Sequence, residues 1–318
     1  MSHDPNRETP ARAPKVSVCV ITYNQRRYIA ECLQSLVDQK ANFDFEIIVG
    51  DDCSTDGTRA VVEEFAQKYP GLVRAILQEK NTGGSKNNLD VHAAALGEYV
   101  AHVDGDDYAL PGKLQAQADV LDAEPRCKAV WHRVHYFDDL GGFCSGRTAD
   151  LSSFKDGRVL FADAIRLGFI GVHSSLMYRR SARENVDPNR QILDIYITWD
   201  LVSKGFGHIV GDVLGCYRVG ATGSLTTGSQ RKVRLLAIEH ADQFLGRFPR
   251  ERRNFFIWAF SNALADARNR RDTLFDFLRL SLRCLALVGP WEIASNLVRM
   301  RRTQVRWGQR DRPESRGV

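Results

Sequence analysis

Tyr99-Val100-Ala101-His102-Val103-Asp104-Gly105-Asp106-Asp107 joins a short apolar run to three carboxylates in four positions. The run reads as a buried strand, and the Asp-Gly pair ends it. Three acids at one strand end repel each other unless a cation sits among them. Oxygen-only donors suit a hard ion, Mg²⁺ or Mn²⁺, of the kind that keeps positions open for phosphates. A solvated turn accounts for the same residues. A calcium loop does not, because the twelfth position from Asp104 holds Gln115 where a bidentate Glu is required.

Working outward, residues 16–21 and 45–49 are near-continuous β-rich runs, as expected of strands covered on both faces. Residues 73–77 form a third run. Apolar residues recur at helical spacing over residues 27–39, 59–69 and 88–96. Strand–helix alternation of this kind predicts right-handed crossovers and a mainly parallel sheet, with ligands at the carboxyl ends of the strands. Asp51-Asp52 and the Asp104–Asp107 cluster both fall at such ends. After residue 129 the texture changes. Strands are expected over 129–134 and 173–179, a loop over 138–157, a helix over 192–204, and a strand–turn–strand over 208–217.

The chain is 318 residues long and 43% hydrophobic, enough for a large core. Its seven scattered cysteines include no Cys-x-x-Cys pair, which argues against a disulfide framework or a zinc site and fits a reducing cytosol. A polar start implies no secretory signal, and no apolar stretch reaches membrane-spanning length. Charge is uneven. Residues 246–318 hold 16 Arg, no Lys and 7 acids, net +9 against −4 for the rest. An acidic body with a basic appendage suggests an anionic surface as partner, a solvated helical face being the plain alternative.

In order and spacing, three segments resemble the family-2 inverting glycosyltransferases of GT-A fold. They are Val16-Ser17-Val18-Cys19-Val20-Ile21-Thr22-Tyr23-Asn24, then Ile47-Ile48-Val49-Gly50-Asp51-Asp52-Cys53-Ser54-Thr55-Asp56-Gly57-Thr58, then Gly97 to Asp107 with Leu110-Pro111. The likeness is strong over residues 15–125, weaker to 225 and absent beyond. It implies an α/β GT-A fold with a Rossmann-like, mainly parallel central sheet and a C-terminal helical extension. The domains expected are a tail (1–14), a catalytic domain (15–227, with a nucleotide half to 125 and an acceptor half from 126), helices (228–300) and a basic, disordered end (301–318).

The resemblance also implies roles. Asp52 matches the residue that reads a uracil or thymine N3–H, with helix capping as its structural alternative. Tyr23 matches the aromatic beside the base, and Thr22 and Asn24 flank it. Asp106 is the expected principal Mg²⁺ or Mn²⁺ ligand, with Asp104 on the ribose or the metal and Asp107 behind them. Lys86 lies in the loop near the diphosphate, and Arg218 near a loop (residues 222–224) expected to close over the nucleotide. Asp194, ten residues before Lys204-Gly205, is the expected base. Relatives often pair two acids there, whereas Leu193 precedes Asp194, and Asp187 and Asp200 are rivals. Its apolar neighbours should ease desolvation. His173 borders the expected acceptor pocket, with a structural hydrogen-bonding role as its alternative.

The expected activity is metal-dependent transfer from a UDP- or dTDP-sugar to a hydroxyl of a glycan or lipid-linked acceptor. Its setting would be the making of bacterial O-antigen, capsule or exopolysaccharide, in the cytoplasm or at the inner membrane face. Basic helices rich in aromatics, over residues 255–260 and 274–285, suggest peripheral membrane contact. Sparse aromatic interleaving argues against nucleic acid. A sugar-nucleotide pyrophosphorylase wants a glycine-rich basic loop where Tyr23-Asn24-Gln25-Arg26 stands. A catalytically silent nucleotide-binding module is the third reading, and oligomeric state is left open.

Overall fold

A computed structural model describes residues 13–138, 154–184, 186–187, 190–220 and 230–303. The expected end segments, most of the 138–157 loop, residues 222–224 and Cys144 therefore fall wholly or largely outside the described residues.

The first half alternates as expected: β1 (Val16–Thr22), α1 (Ile29–Val37), β2 (Phe45–Asp51), α2 (Thr58–Lys68), β3 (Val73–Leu77), α3 (Gly84–Ala93) and β4 (Tyr99–Asp104). Next come β5 (Tyr108–Ala109), α4 (Lys113–Ala123), β6 (Cys127–Phe137), β7 (Arg158–Val159), α5 (Phe161–Leu167), β8 (Met177–Arg179), α6 (Asp194–Ser203) and β9 (Phe206–Arg218). Helices α7 (Gln230–Arg247), α8 (Arg252–Asn269), α9 (Leu274–Cys284) and α10 (Pro290–Thr303) complete it. Among the described residues one sheet runs β3-β2-β1-β4-β8-β6-β9-β5, with β7 beside β9. Strands β1–β4 are mutually parallel, β8 is antiparallel to β4 and β6, and β9 runs parallel to β6.

The period-two rule divides β1 between the two faces. Val16, Val18 and Val20 join a core with Leu33, Ile47, Val62 and Leu114. Cys19 points the other way, into a core shared with Ile48, Val91, Trp131 and Trp199. That second core continues through Phe244, Phe255, Trp258 and Phe277 of α7, α8 and α9. The C-terminal helices thus pack as part of the same interior. No helix among the described residues is long and apolar enough to cross a membrane.

Three local expectations change. The helix expected over 88–96 is α3 at Gly84–Ala93, so Lys86 stands in its first turn and not in a loop. Residues 206–218 form one strand, not two around a turn. The register with β6 jumps from His132↔Val210 to Arg133↔Val213, so Gly211 and Asp212 are absorbed as an irregularity in the ladder. Residues 173–175 form a 3-10 turn and the strand begins only at Met177, because Ser175 Oγ donates to Val172 O (2.7 Å) and closes the turn.

Candidate functional site

Strand pairing sets Thr22 opposite Asp51, and Ile21 opposite Asp104, so both acidic clusters lie at neighbouring carboxyl ends. Asp52 is buried. Its Oδ1 accepts from Thr82 N (2.7 Å) and Thr82 Oγ1 (2.9 Å), and its Oδ2 from Gly83 N (2.8 Å). A carboxylate has about four acceptor positions, so these bonds leave one. Asp51 is fully buried too; Arg59 Nε donates to its Oδ2 (3.1 Å), while its Oδ1 has no hydrogen-bond partner among the described residues.

The loop after β1 is held by its own polar groups. Thr22 Oγ1 bonds Gln25 Oε1 (2.8 Å), and Asn24, at φ +52°, accepts from Thr55 N (2.8 Å) while its own N–H donates to Ser54 Oγ (2.8 Å). Tyr23 stands partly exposed beside them. Lys86 bonds Asp90 on its own helix (2.7 Å). It therefore reaches the phosphate region only by leaving that partner.

The acids after β4 are not equivalent. Asp104 N donates to Ser174 Oγ (2.9 Å), and His102 Nε2 lies 3.1 Å from Asp104 Oδ1. Burial pushes the Asp104 carboxyl up, but the His102 ring and the Ser174 hydroxyl prevail and hold it down at about 2. Burial and the Asp104 charge push Asp106 up to about 6. Asp107 is buried and pushed well above the usual carboxylate range by burial, then by its two acidic neighbours. It accepts from Arg218 N (2.8 Å) and from Ser174 Oγ. Arg218 donates from Nε to Asp106 O (3.0 Å) and from Nη2 to Glu31 Oε2 (3.1 Å), its guanidinium lying 4.2 Å from the Tyr28 and Phe137 ring centres. Beneath them Lys113 is buried, donating to Ser174 O (2.5 Å) and lying 3.0 Å from His132 Nε2; burial pulls its ammonium down to about 7.

Asp194 opens α6. His173 Nδ1 is 3.4 Å from its Oδ1, and burial pulls the His173 ring down to about 4. The Asp194 side chain is 49% exposed. Its apolar neighbours therefore do not desolvate it: Ile195 turns inward, and the first turn of the helix leaves the acid outside. The rival Asp200 is buried and tied to Lys204 Nζ (2.8 Å) and Glu184 N (3.1 Å).

Asp104, Asp106, Asp107 and Arg218 therefore share one bonded cluster, and His173 and Asp194 are joined to it through the His102 ring, which stacks on His173 with centres 3.6 Å apart. Ser174, Lys113, His92 and His102 are its unforeseen members. In sequence they look like turn, helix and core residues; only the unusual His102 inside an apolar run signals one of them. The donor set fits a hard divalent cation: Asp104 and Asp106 are carboxylates whose mutual repulsion a cation relieves.

The glycosyl transferase family 2 profile matches residues 17–186. An uncharacterized protein of Mycobacterium tuberculosis is 32% identical over 210 residues, covering 65% of this chain and 60% of that protein. The chain thus spans about 60% of the length of such mycobacterial relatives. A putative teichuronic acid biosynthesis glycosyltransferase of Bacillus subtilis, TuaG, is 28% identical over 65% of this chain and 79% of its own. Among solved structures, residues 1–349 of Staphylococcus aureus TarS, in complex with UDP-GlcNAc, superpose with a TM-score of 0.64 at 22% identity, covering 90% of this chain and 89% of that one. The Pyrobaculum calidifontis mannosyltransferase PcManGT, in complex with GDP-Man and Mn²⁺, gives 0.53 at 19% identity, covering 92% and 87%. The architecture is accordingly a GT-A fold.

Proposed function

The chain belongs to glycosyl transferase family 2, and from that premise we propose that it transfers a sugar from a UDP- or dTDP-sugar to a hydroxyl acceptor with inversion. The observation that carries this reading is the cluster at the ends of β4 and α6, with acids on both the donor and the acceptor side. Asp194 takes the proton of the acceptor hydroxyl as that oxygen attacks the anomeric carbon, and its half-exposed position gives an acceptor access. The bond to the nucleoside diphosphate breaks with its electron pair going to the phosphate. Asp104 and Asp106 would hold Mg²⁺ or Mn²⁺, which when bound supplies Lewis-acid neutralisation of that leaving group. Arg218, gripped between two rings and Asp107, braces the same wall. Thr22, Tyr23 and Asn24 line the base side; Asp52 fixes Thr82-Gly83 and retains one acceptor position for a ring N–H. Lys86 is a phosphate-side candidate once released from Asp90, and His173 orients Asp194.

The acceptor we favour is a growing surface glycan or its lipid-linked precursor, in keeping with what TuaG is named for. The C-terminal helices would bring it to an anionic membrane face. The domain limits given above, with the catalytic unit at residues 15–227, belong to the same reading.

The test incubates the full chain with Mn²⁺ and a panel of UDP- and dTDP-sugars, following nucleoside diphosphate release. Asp106→Ala should abolish release, and Asp194→Asn should cut turnover by roughly 100-fold or more while leaving nucleotide affinity near wild type. Full activity in either variant would remove that residue from its role. Release from no sugar nucleotide would sink the reading.

A further inference from the structure

Behind Asp104 a line of polar side chains runs from the sheet to α3. Arg183 Nη1 donates to Tyr178 Oη (2.8 Å), which lies 2.8 Å from His92 Nδ1; His92 Nε2 lies 2.9 Å from His102 Nδ1, and His102 Nε2 lies 3.1 Å from Asp104 Oδ1. His92, His102 and Tyr178 are all buried. A core position filled by an imidazole is costly unless both ring nitrogens are satisfied. Here both are, and for two neutral rings the bonding runs in one direction. The Asp104 carboxylate can only accept, so His102 carries its proton on Nε2 and donates to it. His102 Nδ1 is then the acceptor, which makes His92 the Nε2–H tautomer. His92 Nδ1 accepts in turn from the Tyr178 hydroxyl, whose oxygen accepts from Arg183. Asn88 reinforces the direction: its Oδ1 accepts from Arg183 Nη2 (3.1 Å) and its Nδ2 lies 3.4 Å from His102 Nδ1.

We propose that His92 and His102 are positioning residues: a one-way hydrogen-bond relay anchored on Arg183 that locks the His102 tautomer, fixes the Asp104 carboxylate, and through the His102–His173 stack ties it to Asp194. This rests on the donor-side role assigned to Asp104 above. Asp104 is bonded by the edge of His102 (3.1 Å), and Asp194 Oδ1 lies 3.4 Å from Nδ1 of His173. The faces of those two rings lie against each other at 3.6 Å and 22°. The donor-side and acceptor-side acids thus share one rigid aromatic spacer. Arg183, at the relay's origin, follows β8 and precedes the segment leading to α6, so the anchor belongs to the acceptor half while its end serves the donor half.

His102, Asp104 and His173 also bring one ligand atom each to within 4.8 Å of one another. A cation bridging both rings is the poorer account. Stacked imidazoles present their in-plane nitrogens side by side instead of converging on a point, and His102 has both nitrogens engaged.

The test uses the full chain with two readouts. The first is affinity for UDP with Mn²⁺ by calorimetry, with thermal melting as the control for folding. His102→Phe fills the space but cannot donate to Asp104, and should weaken binding roughly ten- to a hundredfold, as loss of a supporting bond behind a ligand does. His102→Gln, which keeps a donor near the Nε2 position, should recover most of it. Equal affinity in His102→Phe and wild type, with Asp106→Ala still impaired, overturns the relay. The second readout is the tautomer of His102 by ¹⁵N NMR of histidine-labelled protein, which needs no nucleotide. Wild type should show Nε2–H, and His92→Leu a mixture of tautomers. A His102 carrying its proton on Nδ1 in the wild type overturns the relay even if the protein binds no UDP at all. Absence of UDP binding with the expected tautomer faults the functional reading alone.

Discussion

Gly105 sits where three parts of the site touch. Its N–H donates to Ile21 O (2.9 Å), and a Cβ placed on it would stand 2.7 Å from Gln25 Oε1 and 2.9 Å from both Cβ and Oγ1 of Thr22. Gln25 can swing aside, but Thr22 is buried at the end of β1 and cannot move without its strand. The backbone of Gly105 lies outside the positive-φ region, so conformation alone would tolerate alanine. A tolerated Gly→Ala change stabilises by about 0.4–1 kcal/mol, whereas a steric intrusion into packed surroundings costs roughly 1–3 kcal/mol. The sign is therefore diagnostic. Gly105→Ala should lower the urea midpoint and weaken UDP binding with Mn²⁺, since Asp104 and Asp106 flank the displaced backbone. A raised midpoint would show that this corner is loosely packed. The acids were legible in the sequence because carboxylates crowded at a strand end have few innocent explanations. The groups that compensate them were not. Ser174 lies 70 residues from Asp104, and Arg183 95 from Asn88, and each alone is an ordinary loop or core residue.

At the scale of elements, the start of α6 is held by α7. His240 is fully buried, its Nε2 accepts from Leu193 N (3.4 Å) just before Asp194, and its ring meets Tyr196 edge-on at 5.1 Å. Burial, then the charge of Arg190, pulls the ring down to about 4. In the unfolded chain the same ring takes its proton near pH 6.5. Between those limits the unfolded state binds more protons, so this contribution is complete above pH 6.5 and is lost as pH falls toward 4, by up to about 1.4 kcal/mol per pH unit. Other buried imidazoles add to the slope, so the difference between two proteins isolates this one. His240→Leu should be less acid-sensitive than wild type when urea midpoints are compared at pH 7 and pH 5; identical slopes would show that His240 titrates normally. Reading elements from the sequence succeeded where apolar runs are covered on both faces, as in β1, β2 and β4, and also at β3, a short edge strand with Arg74 exposed. It failed at β9, where Gly211-Asp212 has turn chemistry but the neighbouring β6 accommodates the extra length by shifting register. It failed again at His173, where a hydroxyl bond to Val172 O turns an apparently extended segment.

At the scale of the whole molecule, the C-terminal helices serve two surfaces. Their inner faces complete the core: Trp199 of α6 meets Phe255 at 5.4 Å and Trp258 at 5.5 Å, and α10 is pinned to α5 by Arg299–Asp163 (2.9 Å) and by Asn296 Nδ2 to Arg166 O (3.1 Å). On α9, α10 and the connector between them, large apolar side chains are left on the outside. On α9, Phe275 is 77% and Leu282 71% exposed; in the connector Leu285 is 80% and Leu287 94% exposed; on α10, Trp291 is 81% exposed. Arg279 follows Phe275 by one turn and Arg302 follows Val298 by one turn, so guanidinium groups border these side chains. Isolated exposed apolar residues need no explanation, but five large ones within 17 residues, edged by arginine, have the composition of a surface that enters an anionic lipid interface. Because the same helices are fixed through the core, this surface would be held in a set orientation to Asp194. With vesicles rich in phosphatidylglycerol, the full chain should cosediment at low salt and be released as salt rises, since the arginine contribution is screened over about 10 Å at 0.1 M. Replacing Leu285, Leu287 and Trp291 together by Ser changes only exposed positions. That variant should melt like wild type yet remain in the supernatant. If wild type also stays there, or if the triple variant pellets equally, the lipid reading of this face fails.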